Sequence, residues 1–152
     1  NPWQYSTDEG YQLVQSLLAV GSGGLQGKGW GMSHQKLFFL PIQYTDFIFS
    51  VFAEETGLIG GLLLLLLLTI YCVLGLLISR ESQNPVHRLI AFGSVVLLDE
   101  QSLLNIGVAI GLLPTTGLPL PFFSYGGNSI VASLWVSGLL IRVARENSPD
   151  SI

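Results

Sequence analysis

Three stretches of this 152-residue chain hold residues whose types and spacing could do chemistry. The first is LPIQYTDFIFSVFAEETG at 40–57. Thr45 is a good N-cap, and Asp46 would follow in the first helical turn, where the dipole favours a carboxylate. At about 100° per residue, Asp46, Ser50, Glu54, Gly57 and Gly61 fall within roughly 80° of one another. Glu55 points elsewhere. One face therefore carries two carboxylates, groups able to take a proton, above a small-xxx-small pair suited to close helix packing. The same residues also suit a plain capping acid and two interfacial anchors, since no His or Cys lies near enough in sequence to complete a familiar site.

The second stretch lies in an apolar segment. Ser94, Gln101 and Asn105 share one helical stripe to within about 20° either way, a pattern that either glues helices together or lines a cavity. Asp99 and Glu100 project about 120° and 140° from Asn105. An acid at mid-span costs roughly 2.5–3.5 kcal/mol on insertion and is a functional candidate by default. The third stretch is NIGVAIGLLPTTGLPLPFFSYGGNS at 105–129. Pro114, Pro119 and Pro121, with Thr115, Thr116, Ser124 and Tyr125, describe a rigid, hydroxyl-rich loop. Such backbone is tolerated at membrane depth only where protein buries it or a cavity receives it. A fourth stretch, GSGGLQGKGWG at 21–31, fails as a phosphate loop because Gly29 follows Lys28 where Ser or Thr is needed, and it lacks a glycine at Met32 for the dinucleotide pattern. It reads as a flexible loop with left-handed turns.

Composition says what must position these residues. Hydrophobic residues make up 49% and charged ones 11%, against roughly 25% charged in an ordinary soluble domain. Six Lys and Arg with a net charge of −4 exclude a nucleic-acid binder, and Cys72 alone excludes a disulfide scaffold. The expectation is an all-α integral membrane protein with three transmembrane helices and a large extracytoplasmic loop. Thr56 to Ser79 are 24 consecutive uncharged residues, about 36 Å of helix against a bilayer core of about 30 Å.

The organisation follows as an extracytoplasmic loop over 1–45 and a long helix with a span over 46–80. A cytoplasmic loop at 81–87, a span at 88–113, an outer Pro-rich loop at 114–121, a span at 122–145 and a cytoplasmic tail at 146–152 complete it. Tyr11, Val14, Leu17 and Leu18 recur at helical spacing and predict a short interfacial helix in the first segment. Unbroken, the helix from Asp46 would be about 50 Å long. Arg80, Arg88, Arg142 and Arg145 assign one side to the cytoplasm, with Lys28 and Lys36 on the other. Asn1 is not a start residue, so the chain reads as an excerpt of a longer protein.

Six ordered motifs carry a resemblance: GYQLxQSLxAxGSGG (10–24), SHQK (33–36), LPxxxTDFIF (40–49), EExG (54–57), NIG (105–107) and GLLPTTGLPLPFFSYGG (111–127). Together they resemble the C-terminal part of the SEDS family, the FtsW/RodA-like proteins of bacterial cell division and elongation, whose members have about ten spans. The resemblance implies peptidoglycan glycosyltransferase activity in the bacterial plasma membrane. Lipid II would be added to a growing undecaprenyl diphosphate-linked glycan on the extracytoplasmic face, beside a class B penicillin-binding protein transpeptidase.

The family's essential outer-loop aspartate maps onto Asp46, which would take the proton of the attacking sugar hydroxyl. Ser33, Gln35, Lys36, Glu54, Glu55, Asn105, Thr115, Thr116, Ser124 and Tyr125 would line the substrate cavity. Lys36 and a divalent cation, Mg or Mn, would assist the leaving diphosphate, and no metal ligand is assigned. The chain departs from the family at Tyr44, where His is common, at Asn128, where Ser is common, and at Asp99 and Glu100, where apolar or small residues are expected. Two other readings stand beside this one. One is a flippase for the lipid-linked precursor that uses the stripe on the second span as its path; the other is a non-catalytic scaffold for a partner transpeptidase.

Overall fold

A computed structural model describes residues 9–32 and 47–147. The described residues form four helices: α1 (Glu9–Gly23), α2 (Ile48–Glu81), α3 (Pro85–Ala109) and α4 (Gly127–Glu146). The last three are long and apolar enough to cross a membrane. Helix α2 packs on α1 and α3, and α4 packs on α3.

Local chemistry sets the ends of these elements. Helix α3 starts before the apolar stretch does because Asn84 caps it: its side-chain oxygen accepts from Val86 N at 2.9 Å, and Pro85 takes the first helical position, where no N–H is needed. It ends at Ala109, short of the expected 113, because Gly111 adopts φ 73°. The amides of Gly111 and Leu112 then return to the carbonyls of Val108 (3.0 Å) and Gly107 (2.8 Å). This paired closure satisfies the orphan carbonyls of the last turn. Helix α4 begins only at Gly127, after a loop in which Phe122 takes φ 66°.

Helix α2 differs from expectation at two places. It starts at Ile48 with Phe47 in the N-cap position, and Thr45, the expected N-cap, lies outside the described residues. It is also not continuous. Gly57 has φ 69° and ψ −165°, and the helix breaks there and resumes. The wheel that aligned Asp46 with Gly61 assumed one unbroken helix and does not hold across this break.

Helix α1 lies where a helix was expected, but it docks on α2 and α3 through Val14, Ser16 and Ala19 while Leu18 is exposed. Ser16 Oγ hydrogen bonds with Ser50 Oγ and donates to the Ala109 carbonyl at 2.7 Å, joining three helices through one hydroxyl. Below this point Phe49, Ala53, Leu64, Ile106, Ala109 and Leu120 form one apolar cluster. Ala91, Val95, Leu140 and Val143 form a second at the opposite end. Gly75 permits the close approach of α2 and α3 in the second cluster, because a Cβ there would overlap Val95. Leu58, Leu62, Leu63, Leu66 and Leu67 stay exposed, as expected of a face turned to lipid.

The break makes Gly57 and Gly61 unequal. A Cβ on Gly57 would overlap the backbone of Gly27 and Leu25 in addition to straining a left-handed φ, whereas one on Gly61 meets only Phe49 at 3.9 Å. Gly57→Ala is expected to lower the stability of the full-length protein by about 2–4 kcal/mol. Gly61→Ala should stay within about 0.5 kcal/mol of the parent. Denaturation in detergent monitored by circular dichroism reads both, and equal midpoints would refute the asymmetry.

Candidate functional site

Breaking a helix leaves the carbonyls of the first half and the amides of the second half without intrahelical partners. In α2 the Gly-rich loop after α1 supplies both. Lys28 N donates to the Glu54 carbonyl at 3.0 Å and Gly29 N to the Glu55 carbonyl at 3.1 Å. On the other side of the break, Leu58 N donates to the Gly24 carbonyl at 2.9 Å and Ile59 N to the Leu25 carbonyl at 3.2 Å. Backbone meets backbone at this junction, so side chains are excluded from it: a Cβ on Gly23 or Gly27 would overlap the main chain of Ala53 or Glu55. The loop keeps its left-handed turns, with φ between 57° and 100° at Gly24, Gly27, Gly29 and Gly31.

This docking brings Lys28 onto Glu54. The ammonium lies 2.6 Å from Glu54 Oε1, and Ser22 Oγ donates to the same oxygen at 3.0 Å. The two partners are placed differently: the Glu54 side chain is 1% exposed, while that of Lys28 is 33% exposed. A carboxylate taken out of water needs compensating donors, and here a cation and a hydroxyl provide them. The ammonium has further N–H groups and lies at the surface, so it can hold an anion while anchored to the interior. Sequence reasoning read Lys28 as part of a plain loop and looked to Lys36 for the cation; the available signal was a lysine between two glycines.

An apolar groove of about 480 Å³ runs between α1, α2 and α3. Gly24 and Leu25 lie at one end and Leu58, Leu62 and Leu65 along its wall, and its lining residues Ala53 and Gly57 flank Glu54 and Glu55 in sequence.

The Pro-rich loop closes over the same end. Gln101 Nε2 donates to the Pro119 carbonyl at 2.8 Å, and Asn105 Nδ2 donates to the Leu118 carbonyl at 2.7 Å. Leu120 N donates to Ser124 Oγ at 2.7 Å, with Leu120 itself 2% exposed. The ring of Phe123 sits edge-on to Phe52, centroids 5.7 Å apart, less than one turn before Glu55. Two of the three stripe residues on α3 thus hold loop carbonyls. Asn105 and Ser124, expected to line a substrate cavity, take part in the loop's own hydrogen bonding, while Thr115, Thr116 and Tyr125 are exposed on its surface.

Asp46, Ser33, Gln35 and Lys36 lie outside the described residues. Phe47, next to Asp46, is buried with Val108 of α3, at the end of the bundle that holds the Gly-rich and Pro-rich loops. Asp99 and Glu100 are elsewhere: they line a separate apolar groove with Cys72 and Leu104. Among the described residues no three of His, Cys, Asp and Glu come together to hold a metal ion. Glu54, the carboxylate best enclosed, is engaged by Lys28 and Ser22.

Relatives of known kind agree with this architecture. The chain is 62% identical over 99% of its length to a putative peptidoglycan glycosyltransferase FtsW of Mesostigma viride. It is 58% identical over its whole length to a probable peptidoglycan glycosyltransferase FtsW of Synechocystis. It spans only 36% and 39% of those two proteins. Among solved structures it matches a chain of a peptidoglycan synthase complex that coordinates polymerization and crosslinking, with TM-score 0.73, 31% identity, 98% of this chain covered and 41% of that one. A mutant of the rod shape determining protein RodA of Thermus thermophilus matches with TM-score 0.67 and 38% identity, over 89% of this chain and 41% of that one. With the family model of these cell cycle proteins matching residues 1–149, the chain belongs to the FtsW/RodA/SpoVE family.

Proposed function

We propose that this chain is the part of a peptidoglycan glycosyltransferase that carries its general base and grips its lipid-linked substrate. The observation that supports this best is that one loop serves two unlike surfaces. A surface ammonium, held by the buried Glu54, comes from the same Gly-rich loop whose Gly24 and Leu25 line an apolar groove of about 480 Å³. A substrate with a diphosphate between sugars and a polyprenyl chain needs both. The tail suits the wall of Leu58, Leu62 and Leu65, and the diphosphate suits the N–H groups of Lys28.

In the proposed step the acceptor sugar hydroxyl attacks the anomeric carbon of the second glycan, and the bond from that carbon to the diphosphate oxygen breaks. Undecaprenyl diphosphate leaves with the electron pair, the hydroxyl proton passes to the Asp46 carboxylate, and the anomeric carbon inverts. Lys28 bears on the charge that develops on the leaving diphosphate. No step is assigned to a divalent ion.

The protein would sit in the bacterial plasma membrane as a multi-pass enzyme. The end holding Lys28 and the Pro-rich loop would face outward, and the end holding Arg80, Arg88, Arg142 and Arg145 would face the cytoplasm. A class B penicillin-binding protein is the expected partner, in keeping with the synthase complex the chain resembles.

Asp46→Asn in the full-length protein should reduce polymerisation of lipid II by about 10²–10⁴-fold while leaving folding and lipid II binding intact. Normal glycan synthesis by this variant would defeat the assignment, and transfer of lipid II across vesicle bilayers without glycan product would favour a flippase. A second measurement concerns the ion pair. Lys28→Met leaves a buried carboxylate without its cation and should cost about 2–3 kcal/mol, reduced from the fully buried case because water reaches Lys28. Adding Glu54→Gln should restore most of that stability but little of the polymerisation rate. If the double variant polymerises normally, Lys28 serves the fold alone.

A further inference from the structure

At the end of the bundle remote from Lys28, the charges around the α2–α3 connection are sorted to two sides. On one side Glu81, His87 and Glu146 line a polar cavity of about 390 Å³ with Ser82, Asn84 and Asn147. There Glu146 is paired on both oxygens, with His87 Nδ1 at 3.1 Å and Arg142 Nε at 3.0 Å. On the other side lies a groove of about 420 Å³ whose lining contains Arg80 and Arg88 and no acid. Its remaining walls are Leu76, Leu89 and Phe92 with Pro85. Among the described residues neither guanidinium has a carboxylate within ion-pair distance. The groove is held in shape by Ser79, whose hydroxyl donates to the Arg88 carbonyl at 3.0 Å and ties the end of α2 to the start of α3.

Two guanidiniums without acids beside exposed leucine and phenylalanine, at the end of two spans, match one kind of ligand. A free phosphate would use the arginines and leave the apolar wall idle; a neutral acyl chain would do the reverse. We propose that this groove binds an anionic phospholipid, with its phosphodiester between Arg80 and Arg88 and an acyl chain along Leu76, Leu89 and Phe92. Arginine suits the phosphate because its planar fork can donate two hydrogen bonds at once, and basic pockets between spans are established settings for anionic headgroups. The inference does not depend on the glycosyltransferase reading, since it concerns the opposite end of the bundle.

The test uses the full-length protein in bilayers doped with phosphatidylglycerol or phosphatidylcholine, each bearing a diazirine on one acyl chain, with crosslinks mapped by mass spectrometry. Near an anionic surface each arginine strengthens contact about fivefold, so phosphatidylglycerol should label residues 76–92 on the order of tenfold more than phosphatidylcholine. Arg80→Gln with Arg88→Gln should bring that ratio to about one and leave labelling of α4 unchanged. Equal labelling by the two lipids in the parent protein would overturn the proposal. So would the absence of labelling at 76–92 by either lipid, which would mean that another part of the protein covers the groove. The parent's ratio is read without any variant, so a folding defect in the double substitution cannot obscure the answer.

Discussion

The structure turns on the break at Gly57 and on what closes it. A helix interrupted inside an apolar segment exposes carbonyls and amides that lipid cannot solvate, each costing several kcal/mol if left unpaired. Here the Gly-rich loop pairs two carbonyls before the break and two amides after it through its own backbone. That exchange couples three features that seem independent in the sequence. The break requires the loop, the loop requires glycines where main chain touches main chain, and the docked loop carries Lys28 to Glu54. Remove any one and the other two lose their reason.

The ion pair adds direction to this junction. A fully buried pair would offer little, since desolvation cancels much of the attraction. With Glu54 enclosed and Lys28 one-third exposed, the carboxylate acts as an internal anchor and the ammonium as a surface group of defined position. Ser22, at the last turn of α1, adds a second donor to the same oxygen, so the end of that helix is tied in as well. Ser16 and Ser50 repeat the theme about two turns back along α1, where one hydroxyl connects α1, α2 and the end of α3. Both ends of the bundle combine polar contacts with packing: at the other end Ser79 Oγ donates to the Arg88 carbonyl and Gly75 lets Val95 approach closely.

Much of this was legible in the sequence, and the rest was hidden for identifiable reasons. One uncharged run, Thr56 to Ser79, and two further apolar stretches, the first of them interrupted by Asp99 and Glu100, revealed three spans because a bilayer demands that length. The Pro-rich loop was recognisable from its prolines and hydroxyls, and its family resemblance was strong enough to name the fold. The break was not legible. Gly57 sits in the same run as Gly60 and Gly61, and nothing in residue type says which of the three leaves the helix. Only the tertiary partner decides, because Gly57 alone faces the backbone of Leu25 and Gly27. The helical wheel placed Ser50 and Glu54 on one face, and that face is covered by α1 and the Gly-rich loop, where Ser50 meets Ser16 and Glu54 meets Ser22 and Lys28. Gln101 and Asn105 were visible as a polar stripe, but a stripe cannot state whether its amides hold substrate or the chain's own carbonyls. They hold Pro119 and Leu118.

Building the junction from backbone rather than side chains has a consequence for a helix long and apolar enough to cross a membrane. Main-chain groups that pair with each other leave no polar surface for the lipid below, so the wall running down from the break through Leu58, Leu62 and Leu65 stays apolar. A junction made of polar side chains would have spread hydrogen-bonding groups over that wall and brought water into it. Two of the loop's amides, those of Lys28 and Gly29, are spent on α2 carbonyls in the same exchange.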